Sequence, residues 1–144
     1  MTLVRTVAEH LAKQRKQSDG QHPDGHGCCY RGDDGTMCAI GCLIPDELYN
    51  FEMEGKLFDD LYEFVNVFDH VVGLWKKEHP EHTTREAVRA LTVIQEYHDN
   101  DYLLDYQNAK FEGLTDEQFT DQIETRLRSD VSDRLAQLPE EGKW

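Results

Sequence analysis

Thr83-Thr84-Arg85-Glu86-Ala87-Val88-Arg89-Ala90-Leu91-Thr92-Val93-Ile94-Gln95-Glu96-Tyr97 decides the fold class. Thr83 followed three residues later by Glu86 is a capping box, in which each side chain accepts the other residue's otherwise orphaned backbone N–H. Behind it Ala87, Val88, Leu91, Ile94 and Tyr97 return every three or four residues, the period of one helix face. The pattern recurs downstream, where Thr115 with Gln118 opens a helix carrying Phe119, Ile123, Leu127, Val131, Leu135 and Leu138 until Pro139. Upstream, Phe58, Leu61, Val65, Phe68, Val72 and Trp75 predict two shorter helices or one kinked helix before Pro80, with Asn66 and Gly73 weakening the run. At the start, Thr2 caps an amphipathic helix whose apolar face is Leu3, Val4, Val7, Ala8, Leu11 and Ala12, and which ends before Gly20. Residues 102–114 are aromatic and acidic without a clean period, and read as mixed turn and short helix.

Between the first two helical regions the breakers take over. Residues 18–27 contain Ser, Asp, Gly, Gln, His and Pro in an order no helix sustains, so they form a loop. Residues 28–31, the turn 32–35 and residues 36–40 then predict a short β-hairpin over about 28–40, with Asp34-Gly35 supplying positive φ. A brief helical turn is expected near Pro45. The expected architecture is α+β, a mainly helical single domain over residues 1–144, in which that hairpin and residues 40–49 pack on four or five helices. No internal repeat, low-complexity tract or linker divides the chain.

Composition excludes several functions. The 144 residues carry 15 Lys+Arg against 29 Asp+Glu, a formal charge of −14, with no basic run able to release counterions from nucleic acid. Direct nucleic-acid binding is therefore not expected. The longest apolar stretch, residues 39–45, is far too short to span a bilayer, so no membrane partner is expected either. The first helix interleaves Arg5, Glu9 and Lys13 with its apolar residues and lacks the continuous block of an export signal. The expected address is a cytoplasm, where thiols stay reduced.

One string is distinctive: Cys28-x-Tyr30-Arg31, then Gly35, then Cys38-Ala39-Ile40-Gly41-Cys42-Leu43-Ile44-Pro45-Asp46-x-x-Tyr49 and Met53-Glu54-Gly55. With Leu91-x-x-Ile94-Gln95-x-x-His98-Asp99, and with Val7-x-x-His10-Leu11, Gln14 and Ser18, it resembles a family of small uncharacterised proteins from tailed bacteriophages and prophage-bearing bacteria. The resemblance implies provenance, an accessory protein acting in the cytoplasm of a bacterial host, and brings no activity or catalytic residue with it. Residues after Asp99 lie outside it.

Four cysteines within residues 28–42 raise three kinds of chemistry. Zinc would draw on His22, His26, Cys28, Cys38 and Cys42, but no Cys-x-x-Cys knuckle is present, so the thiols are expected to pack as small core groups and no cofactor is expected. A cysteine-dependent hydrolase would use Cys38 or Cys42 with His98 as base and Asp99 as orienting carboxylate, although neighbours on a helix point about 100° apart. A ligand site would use Arg31, Gly41, Asp46, Tyr49 and Glu54, with Arg31 and backbone amides near Gly41 cradling a small anion, or Arg31 fixed in an ion pair with Glu54. The acidic excess adds a DNA-mimic reading, centred on Asp116, Glu117, Asp121, Glu124 and Asp130. Taken together the residues favour binding over catalysis. The expected partner is a host bacterial protein or a small anionic ligand, with self-association through apolar faces as the structural alternative.

Overall fold

In the computed structural model, which describes residues 1–22 and 25–137 and only the backbone of 21, 22 and 25–27, five α-helices carry most of the chain. The helix α1 (Leu3–Gln14) starts where the Thr2 hydroxyl accepts the Arg5 N–H and stops at Arg15, whose φ of 50° is left-handed. α2 (Val65–Glu78) follows a 3₁₀ turn at Phe58–Glu63, the two being separated at Phe64. The run from Phe58 to Trp75 is thus a turn and a helix, in which Phe58, Leu61, Val72 and Trp75 are buried while Val65, expected on the same apolar face, is exposed where α2 begins. α3 (Thr84–Asn100) and α5 (Asp116–Ala136) both open on complete capping boxes, as their sequences predict.

α3 is the central element. Ten of its residues, from Ala87 to His98, are buried, and a helix covered on nearly every side is a core helix. Its neighbours are α5, α2, the Phe58–Glu63 turn and α4 (Tyr102–Glu112). α1 lays Leu3, Val4, Val7, Ala8, Leu11 and Ala12 chiefly on α5, which presents Phe119, Ile123, Leu127 and Val131. Tyr102 sits between them, its hydroxyl donating to the Leu11 carbonyl at 2.6 Å while its ring stacks 6.3 Å from Phe119.

Residues 102–112, expected as mixed turn and short helix, form the single helix α4. Only Tyr102 and Ala109 of it are buried, so it has no apolar period to read. Gly113 stops it with a φ of 71°, a left-handed value that a side chain would strain.

The hairpin expected over residues 28–40 does not form. A short antiparallel pair lies upstream instead, β1 (Asp19–His22) with β2 (Gly25–Cys28), Asp19 facing Cys28. Residues 28–40 contribute one isolated bridge between Arg31 and Met37. The cause is competition for backbone groups: Glu54 takes the N–H of both Tyr30 and Arg31, and Gln14 takes both the N–H and the C=O of Met37. Side chains thus satisfy the amides that a second strand pair would use. The expected turn near Pro45 is present as a 3₁₀ turn at Asp46–Leu48, flanked by others at Gly41–Leu43 and Phe51–Met53. None of the described helices is long and apolar enough to cross a membrane.

Candidate functional site

The distinctive residues gather where residues 28–55 meet α1 and α3, and four polar side chains fasten that segment in place. The buried Glu54 carboxylate accepts from Tyr30 N at 2.7 Å, Arg31 N at 2.9 Å and the Tyr49 hydroxyl at 2.6 Å. From α1, Gln14 accepts the Met37 N–H at 2.9 Å and donates to the Met37 carbonyl at 3.0 Å, and His10 Nε2 donates to the same carbonyl at 2.8 Å. Burial lowers the pKa of His10, since a charge there would lose its water. From α3, Gln95 accepts the Ile40 N–H at 3.2 Å and donates to Asp99 at 3.0 Å. Charge-assisted bonds of the Glu54 kind contribute roughly 1.5–3 kcal/mol each.

The expected ligand set divides on inspection. Glu54 is not the ion-pair partner of Arg31; the guanidinium donates to Asp46 at 2.6 Å and to the Ile44 carbonyl at 2.5 Å, and lies 5.0 Å from the centre of the Tyr49 ring. Its Nε is buried without a hydrogen-bond partner among the described residues. Asp46 itself is 92% exposed. Gly41 offers no free amide, because its N–H points at Cys38 Sγ at 3.2 Å, and a Cβ there would run into the Tyr30 carbonyl. Gly41 is therefore a packing requirement in place of an anion cradle.

The thiols that the hydrolase alternative would use are poorly placed for chemistry. Cys38 is fully buried and its pKa is raised well above the ordinary thiol value by desolvation. Cys42 donates to the Ala39 carbonyl at 3.2 Å, and burial pushes its thiol up to about 12. A nucleophilic cysteine needs the opposite shift. The four cysteines carry no disulfide. Of the residues expected to hold zinc, His22 has only its backbone described, and the side chain of His26 also lies outside the described residues.

The residue that does meet His98 and Asp99 is Cys28, half-buried at the end of β2. One ligand atom from each of Cys28, His98 and Asp99 lies within 4.8 Å of the others. His98 is fully buried, with Nε2 accepting the Ser18 N–H at 3.3 Å and Nδ1 lying 3.0 Å from Asp99 Oδ1. A backbone N–H can only donate, so Nε2 carries no proton and Nδ1 donates to the carboxylate. Adjacent positions on α3 do reach one another, because the Asp99 side chain folds back beside the ring. Cys28 and Asp99 also border a small cleft of about 140 Å³, together with Cys29, Gly55, Leu57 and Gln95. Desolvation, with Asp99 and Asp19 nearby, pushes the Cys28 thiol up to about 12, and desolvation beside Glu54 pushes Cys29 to about 11. Sequence reasoning passed over Cys28 as a neighbour of His98. The only available signal was that it belongs to the same distinctive string.

Comparison with protein-family models, curated proteins and solved structures finds no match to this chain.

The carboxylates of α5 are largely engaged. Asp121 and Glu124 pair with Arg5, Glu124 also with Arg128, Asp116 with Arg15, and Asp130 with Arg126. Much of the charge that a nucleic-acid mimic would present is neutralised within the fold.

Proposed function

We propose that this chain is a binding protein, an accessory factor of phage type whose target is a basic protein surface in a bacterial host. What carries this reading is the 3₁₀-rich segment beside the Glu54 clasp, where Phe51, Leu57, Tyr62 and Val65 are all exposed within 15 residues, interspersed with exposed Glu52, Asp59, Asp60 and Glu63. Exposed apolar patches rimmed by polar residues mark protein contact surfaces. The clasp supports the reading further, since a segment fixed by buried hydrogen bonds binds with little ordering cost. The thiols support it by their raised pKa values, which leave the cysteine-hydrolase alternative without an activated nucleophile.

The test places a photo-crosslinking residue at Tyr62 and, separately, at Phe111 on α4, and captures partners from a bacterial lysate. The expected result is a defined protein adduct from position 62 that is lost in Phe51→Ala/Leu57→Ala and weakens as salt rises. An adduct only from position 111, or capture lost only when the α5 carboxylates are reversed, overturns the reading and favours self-association or the mimic.

A further inference from the structure

We propose that Cys28, His98 and Asp99 form a transition-metal site of the thiolate–imidazole–carboxylate class, suited to zinc, with an open coordination position facing the cleft. The inference is independent of the proposed partner surface. β2 supplies the sulfur and the end of α3 supplies the nitrogen and oxygen, so two separately anchored elements converge on one point. Zinc bonds of roughly 2.0–2.3 Å place tetrahedral donors about 3.3–3.8 Å apart, which ligand atoms lying within 4.8 Å reach by small side-chain adjustments. The donor types are those zinc favours, and a thiolate with one carboxylate balances a divalent charge. When the metal binds, the thiol proton leaves to solvent through the cleft, and the imidazole binds through Nδ1, the nitrogen beside Asp99.

Two further features fit an occupied site. Metal on Nδ1 moves the imidazole proton to Nε2, where it opposes the Ser18 N–H that donates to that nitrogen in the metal-free protein, so metal binding breaks that bond, turns the amide aside and requires an acceptor in its place. Ser18, whose amide meets Nε2 in the metal-free protein, carries a fully buried hydroxyl with no partner among the described residues. A buried orphan oxygen is costly unless some state of the protein uses it. Next, Cys28 and Asp99 both line the cleft of about 140 Å³, which has room for several waters at roughly 30 Å³ each. Three protein ligands among the described residues plus a solvent position is the arrangement of a reactive centre; a purely structural one closes all four.

The full chain is titrated with Co²⁺ and Zn²⁺. Expected are one equivalent bound and a thiolate-to-cobalt absorption band. Cys28→Ser removes the band and weakens zinc at least about 100-fold, and Asp99→Asn weakens it about tenfold, whereas Cys42→Ser leaves both unchanged with the fold checked by circular dichroism. Ser18→Ala weakens zinc about tenfold without lowering the melting temperature of the metal-free protein, since the hydroxyl has no bond to lose. No band with equimolar Co²⁺, or equal binding by the Cys28 and Cys42 variants, overturns the site. Unchanged affinity in Ser18→Ala overturns the assignment of Nδ1 as the ligating atom.

Discussion

Residues 28–54 and the α1–α5 pair are both parts of one core, yet they are held by different means. The helix pair buries a continuous apolar face on each side and adds ion pairs along its solvent edge. The segment 28–54 has little regular structure, and side-chain hydrogen bonds from Glu54, Gln14, His10 and Gln95 fix its backbone. Apolar packing is spread over many residues and tolerates the loss of any surface charge. A polar clasp concentrates its effect in single atoms, and removing one leaves buried donors without partners.

The sharpest way to break this contrast is Glu54→Ala. It strands the Tyr30 and Arg31 amides and the Tyr49 hydroxyl, and should cost about 3–5 kcal/mol in urea denaturation. A cost under about 1 kcal/mol would mean that the segment is held by packing after all. Gln14→Ala, which strands the Met37 N–H and leaves the Met37 carbonyl to His10 alone, should cost about 1–3 kcal/mol by the same measurement.

A smaller effect follows from His10. Its pKa in the folded protein lies below the ordinary 6.5, so between those two values the unfolded chain binds more protons and stability falls as pH is lowered. Melting temperatures across that window should decline, and His10→Gln, which keeps a donor for the Met37 carbonyl, should flatten the decline. On the helical side, Arg134→Ala breaks the pair with Glu96 and should cost only about 0.2–1 kcal/mol. Phe111→Ser, at a side chain 94% exposed, should stay within about 0.5 kcal/mol.

The same division explains what could be read from the chain beforehand. Helices α1, α3 and α5 were legible because a cap and a period are local, both recorded within a few residues of one another. α4 was not, since only Tyr102 and Ala109 anchor it and two buried residues make no period. The hairpin failed for a non-local reason: Gln14 and Glu54 lie 23 and 24 residues from the amides they take, a distance at which no spacing rule operates. The candidate residues fared similarly. Arg31, Asp46 and Tyr49 do gather, whereas Cys38 and Cys42 are turned into their own loop and Cys28 takes the place beside His98. The helical-wheel angle between His98 and Asp99 misled because it describes where side chains leave the backbone. Their tips can still bend toward each other.

The pairing of α1 with α5 also has a consequence for synthesis. The face of α1 is made about a hundred residues before its main partner, with Arg15 reaching Asp116 and the Leu114 carbonyl as the join. At ribosomal rates of about 5–20 residues per second, α1 waits roughly 5–20 s before its greasy side has anywhere to go. During that interval Leu3, Val4, Val7 and Leu11 are the surface a nascent-chain chaperone would meet.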